Sequence, residues 1–155
     1  MVTHFPERIM HQPASLEAIE EARRRLAGIA LRTPLVRLDV DDAPAEIYLK
    51  LECLQPIRSF KLRGAANAML KAGREALADG VWTASAGNMA QGVAWAARRL
   101  GIPCTVVVPE TAPQTKIAAV RRYGGTVITV PVDEWVTIFR TRHREGMTGV
   151  FVHPY

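Results

Sequence analysis

Two stretches of the chain combine residue types that could act on a small molecule. In the first, Lys61 follows Ser59 and Phe60 at the expected start of a helix, where the positive end of the helix dipole disfavours an ammonium. An amine in that field, beside the apolar Phe60, is easier to deprotonate. A neutral amine can condense with a carbonyl to a Schiff base and afterwards act as a base. A lone lysine is ordinarily a solvated surface group, so a second feature is needed. It is Ser85-Ala86-Gly87-Asn88-Met89-Ala90-Gln91-Gly92, a small-residue turn between an expected strand and helix. Such a turn leaves backbone N–H groups unpaired at the helix start, where an anion would fit. By itself the turn reads equally as an ordinary tight connection. Gly87 and Gly92 have the spacing of a phosphate loop, but Val93 and Ala94 stand where its Lys and Ser/Thr belong, and the G-x-G doublet of a dinucleotide site is missing; both patterns therefore fail.

The elements that must position these residues follow from caps and periodicity. Ser15 can cap a first helix, with Leu16, Ile19, Arg23 and Leu26 at helical spacing before Gly28. Residues 33–38 and 47–52 read as short strands around an Asp/Ala/Pro-rich loop. Ser59 can cap a helix carrying Leu62, Ala65, Ala66, Met69 and Leu70 on one face, with Gly73 near its end. Strict alternation follows: a strand over 81–84, a helix over 88–100 stopped by Gly101, an apolar strand over 104–108, and a helix opened by Pro113 and stopped by Gly124-Gly125. A buried strand over 126–130, a helix capped by Asp133 and a strand over 149–152 complete the chain. This order predicts an α/β fold: an open, parallel, twisted sheet with helices on both faces and right-handed crossovers. Ligands of such sheets bind beyond the carboxyl ends of the strands, which is where Ser85 to Asn88 fall.

Taken together, the motifs carry a resemblance. Ser59-Phe60-Lys61-Leu62-Arg63-Gly64-Ala65 followed by Ser85-Ala86-Gly87-Asn88-x-Ala90-Gln91-Gly92, with Thr33-Pro34-Leu35 before them and Pro109-Glu110-Thr111-Ala112-Pro113-x-x-Lys116 after, resembles the signatures of fold-type II pyridoxal-phosphate enzymes. Threonine/serine dehydratases are the nearest group, and the resemblance extends from about residue 15 to residue 155. It implies that Lys61 holds pyridoxal 5'-phosphate as a Schiff base, that Phe60 lies against the pyridine ring, and that Asn88 hydrogen-bonds the phenolic oxygen. The turn of Ser85, Ala86 and Gly87, continued by Asn88 and Met89, would bind the carboxylate of a small amino-acid substrate. In the implied reaction a hydroxyamino acid, L-threonine or L-serine, displaces Lys61, whose freed amine removes the α-proton. The β-hydroxyl then leaves, and hydrolysis gives a 2-oxo acid and ammonia. Related racemases carry a second serine in the turn; Ala86 stands at that position and favours elimination. Two residues depart from the pattern: Met89 replaces a usual histidine, and Arg58 stands where many relatives have glycine.

The resemblance also implies a division of the chain and a missing part. Residues 1–14 are expected to form a disordered arm, 15–58 the first helix and strands of a larger domain, and 59–155 a small α/β domain. Relatives continue past the point matching Tyr155, and that continuation supplies the glycine-rich loop for the cofactor phosphate. The sequence contains no such loop. The expectation is a truncated form of an enzyme whose full-length form is a homo-oligomer. The rival readings are another fold-type II activity, a catalytically silent fragment with a structural role, and a nucleotide-binding domain, the last disfavoured by the failed patterns above.

Bulk properties agree with a globular enzyme. Apolar residues make up 48% of the chain and charged ones 23%, a balance that can bury a core and is unlike that of disordered chains. No apolar run approaches the roughly 20 residues of a membrane span, and residues 1–12 carry charges and prolines where a signal peptide needs an apolar stretch; a cytoplasmic location is expected, with no membrane partner. The net charge of +5 is dispersed. Arg23, Arg24 and Arg25 are diluted by the nearby Glu17, Glu20 and Glu21, and no aromatic platform accompanies them, which argues against nucleic acid. Cys53 and Cys104 lack metal-ligand spacing and read as buried free thiols, with no metal expected.

Overall fold

In the computed structural model of the chain, residues 13–154 are described. The arm expected over 1–14 lies outside them except for Pro13 and Ala14, which are exposed and irregular. Four parallel strands form the main sheet in the order β5-β4-β3-β6: β3 (Val81–Ala84), β4 (Cys104–Pro109), β5 (Thr126–Val130) and β6 (Val150–Phe151). Between them run α3 (Asn88–Leu100), α4 (Gln114–Arg122) and α5 (Val132–Thr141). The central β3 and β4 are buried on both faces, which is why they read as continuous apolar runs. Because successive side chains alternate, Val106 and Val108 face one layer, with α3, α4 and a preceding helix α2 (Lys61–Ala76). Val107 faces the other with Trp82, Val130 and Ile138 of α5. Helices therefore cover both faces, as the alternation predicts.

Three local expectations are corrected. The strand over 126–130 is buried only at Val130: among the described residues it pairs with β4 alone, and Thr126 and Thr129 face solvent. The Cap of α2 is Phe60, while Ser59 accepts the Lys61 N–H at 3.3 Å. Gly73 lies near the end of that helix, as expected, and kinks it at φ 84° three residues before Ala76. Pro131 precedes α5 and takes the Trp135 N–H on its carbonyl, so Asp133 sits in the first turn, where a carboxylate complements the dipole. α3 spans the residues its periodicity marked, and Gly101 ends it in the left-handed conformation.

α2 packs on α3 through small residues. A Cβ at Gly92 would lie 3.3 Å from the Lys61 carbonyl and 3.4 Å from the Ala65 methyl, so glycine at 92 is what lets the start of α2 approach the start of α3. Ala65, Ala66 and Met69 are fully buried in this contact, and Leu62 of the same helix is fully buried too. A large apolar side chain such as Leu62 contributes about 2 kcal/mol when taken out of water.

The N-terminal elements are packed less completely. Ser15 caps α1 (Leu16–Arg25) by accepting the Ala18 N–H at 3.1 Å. Of the expected apolar stripe only Leu26 is buried, and Leu16 and Ile19 stay exposed. β1 (Leu35–Leu38) and β2 (Ile47–Lys50) pair antiparallel as an isolated hairpin, exposed along its whole length. Cys53, in a short 3-10 turn over Glu52–Leu54, is exposed, correcting its reading as buried; Cys104 on β4 is buried as expected. Among the described residues no helix is long and apolar enough to cross a membrane.

Candidate active site

The turn after β3 is built by the sheet itself. The Ser85 N–H continues the ladder onto the Val107 carbonyl at 3.1 Å, and its hydroxyl then accepts the Gly87 N–H at 3.3 Å, turning the chain into α3. Lys61 opens α2 alongside. A cavity of about 240 Å³ at this end of the sheet is lined by Lys61 and by Ser85, Ala86, Gly87, Asn88 and Met89. Residues 24 or more positions apart in the chain are thus brought together. Larger hollows of about 630 Å³, between α1 and α2, and about 320 Å³, beside the end of α2, do not lie at the carboxyl ends of the strands.

The Lys61 side chain crosses this cavity. Its Nζ donates to the Pro154 carbonyl at 2.7 Å. The segment after β6 is held in place by Thr83, a fully buried side chain whose hydroxyl donates to the Val152 carbonyl at 2.7 Å. Phe60 is placed differently from the other predicted residues. It is exposed and is not part of the cavity wall, although its ring centroid lies 5.4 Å from Lys61 Nζ. Met89 is buried and packs into the core beneath the turn.

Three wall residues had no signal in the sequence reading. Trp135 and Phe139 stack at 5.4 Å, and the indole N–H donates to the Val107 carbonyl at 3.1 Å. Their helical spacing reads as ordinary core. Pro154 contributes a main-chain carbonyl, which no side-chain pattern can mark.

A polar network fixes the other side of α2. Arg63 donates Nε to Glu52 Oε2 and Nη2 to Glu52 Oε1, both at 2.8 Å, and Nη2 also reaches the Leu31 carbonyl. Glu52 further accepts from Thr33 at 2.6 Å and from the fully buried Gln55 at 3.3 Å. The Arg63 hydrogen bond, working against partial burial, holds the Glu52 carboxyl at about 2, well below the usual range, with the Thr33 hydroxyl and the Arg63 charge assisting. Successive helical residues point about 100° apart, so Arg63 and Lys61 leave α2 on opposite sides. The network anchors one side and the amine emerges from the other.

Residues 26–155 match the family described as pyridoxal-phosphate dependent enzyme. The chain belongs to this family. Among its pyridoxal-phosphate dependent relatives, the L-threonine ammonia-lyase of Thermotoga maritima is 42% identical, over 91% of this chain and 36% of its own length. The catabolic L-threonine dehydratase of Staphylococcus aureus is 46% identical, over 91% of this chain and 42% of its own. The solved serine racemase of Dictyostelium discoideum superposes with a TM-score of 0.81 at 34% identity, over 91% of this chain and 47% of that one. The chain therefore spans less than half the length of these relatives.

The donor set fits the family's cofactor in part. Lys61 and Asn88 line the same cavity, a primary amine of the kind that condenses with an aldehyde and an amide of the kind that donates to an oxygen.

Proposed function

We propose that the chain carries the lysine-bearing part of a dehydratase that converts a hydroxyamino acid, L-threonine or L-serine, to a 2-oxo acid and ammonia. The observation that carries this reading is the shared cavity of Lys61 and the Ser85 to Asn88 turn. When bound, pyridoxal phosphate supplies an aldehyde for the lysine and a ring that withdraws electrons from the substrate α-carbon. Lys61 would hold the cofactor covalently through Nζ, and the same atom would take the proton from the substrate α-carbon. Asn88 would meet the phenolic oxygen, and Ser85, Ala86 and Gly87 would orient the substrate carboxylate, with Met89 packing below; Phe60, which lies outside the cavity wall, has no part in this arrangement. The names of the Thermotoga and Staphylococcus relatives support a threonine substrate.

Likeness to serine racemases favours a second reading, racemisation. The residue at 86 weighs against it, because an alanine methyl in the cavity wall has no proton to exchange. The division of the chain also belongs to this proposal: residues 15–58 begin a larger unit and 59–155 form a smaller one. It is supported by the exposure of Leu16, Leu35, Tyr48 and Leu49 beside a well-buried core over 62–152.

Adding pyridoxal phosphate to the purified chain, reducing with borohydride and mapping the modified lysine tests the site. Labelling confined to Lys61 is expected, and scattered labelling would favour a silent fragment. Release of 2-oxo acid from L-threonine or L-serine, compared with formation of D-serine, then tests the reaction. Labelling of Lys61 with neither product would remove the activity from this chain while leaving the attachment site intact.

A further inference from the structure

An amide side chain presents an acceptor on one side and two donors on the other, and the side that faces a cavity decides which ligand atoms it can meet. At Asn88 the neighbours decide the orientation. Lys116 Nζ lies 3.0 Å from Asn88 Oδ1. An ammonium can only donate, so the atom facing it must be the amide oxygen. Gln91 Nε2 reaches the same oxygen at 3.5 Å. Asn88 belongs to the wall that it shares with Lys61, whereas Lys116, in the first turn of α4, is outside that wall and borders a separate small hollow behind the turn. With the oxygen taken from behind, Nδ2 is the polar atom left to meet the cavity.

We propose that Lys116 is a positioning residue that holds Asn88 with its NH₂ toward the Lys61 cavity, making the site a receptor for an oxygen acceptor beside the carbon that Lys61 attacks. This rests on the proposed attachment at Lys61 for the identity of the ligand, but the orientation of Asn88 stands on its own contacts. The Lys116 charge also polarises the amide, so the N–H groups on the far side become stronger donors. Both effects favour an anionic oxygen over a neutral one. A phenolate has that chemistry, and an ether or a bare hydrocarbon edge does not.

The test compares the wild-type chain with Lys116→Met, which keeps length and loses the donor, and Lys116→Arg, which keeps a donor. In the cofactor-free protein, the side-chain NH₂ resonances of Asn88 should move in Lys116→Met and return toward their wild-type positions in Lys116→Arg. In protein loaded with pyridoxal phosphate, the pH midpoint of the visible absorbance of the lysine-linked cofactor should rise by about one unit in Lys116→Met, because the phenolic oxygen loses a donor and the site loses a positive charge. Affinity for the cofactor should fall about ten-fold, the size of one lost charge-assisted contact. Unmoved Asn88 resonances, with a thermal midpoint equal to that of the wild type, would overturn the proposal. So would an unchanged absorbance titration in a variant still modified at Lys61. If the wild-type chain takes up no cofactor at Lys61, the proposed function fails, and the resonances alone decide the role of Lys116.

Discussion

Arg63 grips Glu52 through two parallel hydrogen bonds of 2.8 Å, and through them the segment leading into α2 is tied to the first turn of the helix that carries Lys61. Charge-assisted, two-pronged contacts of this kind fix direction as well as distance. The network thereby sets how α2 is rotated about its axis, and hence where the lysine emerges.

Acid should expose this pairing. Glu52 is held at about 2, against an ordinary 4.5, so the folded protein binds its proton less readily than the unfolded chain. The stability it contributes is complete above about 4.5 and disappears as the pH falls toward 2. Urea unfolding at a series of pH values should show this decline. Glu52→Gln should flatten it and cost about 2 kcal/mol at neutral pH.

Arg58 occupies a backbone conformation suited to glycine. Its φ is 59°, and its N–H closes a turn on the Gln55 carbonyl at 2.7 Å. A side chain there crowds the following carbonyl, at a cost of about 1 kcal/mol. A glycine here, as the resemblance implies, would relieve that crowding. Arg58→Gly should raise the urea midpoint by an amount equivalent to about 1 kcal/mol, with the slope of the transition unchanged.

Gly149 should tolerate no side chain. Its φ is 83°, and a Cβ there would lie 2.4 Å from the Gly80 carbonyl oxygen, which also accepts the Val150 N–H. Gly149→Ala should pull β6 from β3 and destabilise the fold by about 3 kcal/mol or more. Hydrogen exchange at the Val150 and Val152 amides should report the detachment before global unfolding does.

The two thiols should separate cleanly by reactivity. Burial pushes Cys104 up to about 12, whereas Cys53 is exposed. Since the thiolate is the attacking form, iodoacetamide at pH 8 should modify Cys53 alone, with Cys104 protected until denaturant is added. Equal labelling of both in the native state would contradict the packing of β4.

Much of the fold was written locally. The span of α3 and its stop at Gly101 follow from periodicity and a single left-handed residue, signals contained within a few positions of the chain. The parallel sheet follows from the alternation of short apolar runs with amphipathic helices, and the Lys61 and Ser85 to Asn88 motifs sit at the element boundaries where their spacing put them. Strand order was not local information. It made β5 an edge with exposed threonines, and it laid β6 beside β3 so that the Pro154 carbonyl, 93 positions away, meets Lys61 Nζ. The same packing turned Phe60 to the surface and brought Trp135, Phe139 and Lys116 to the cavity or its backing. Residue types and spacing determine which elements form and which side chains could react. Which side chains face one another depends on the free energy of the whole packed arrangement, in which contacts distant along the chain count as much as neighbours.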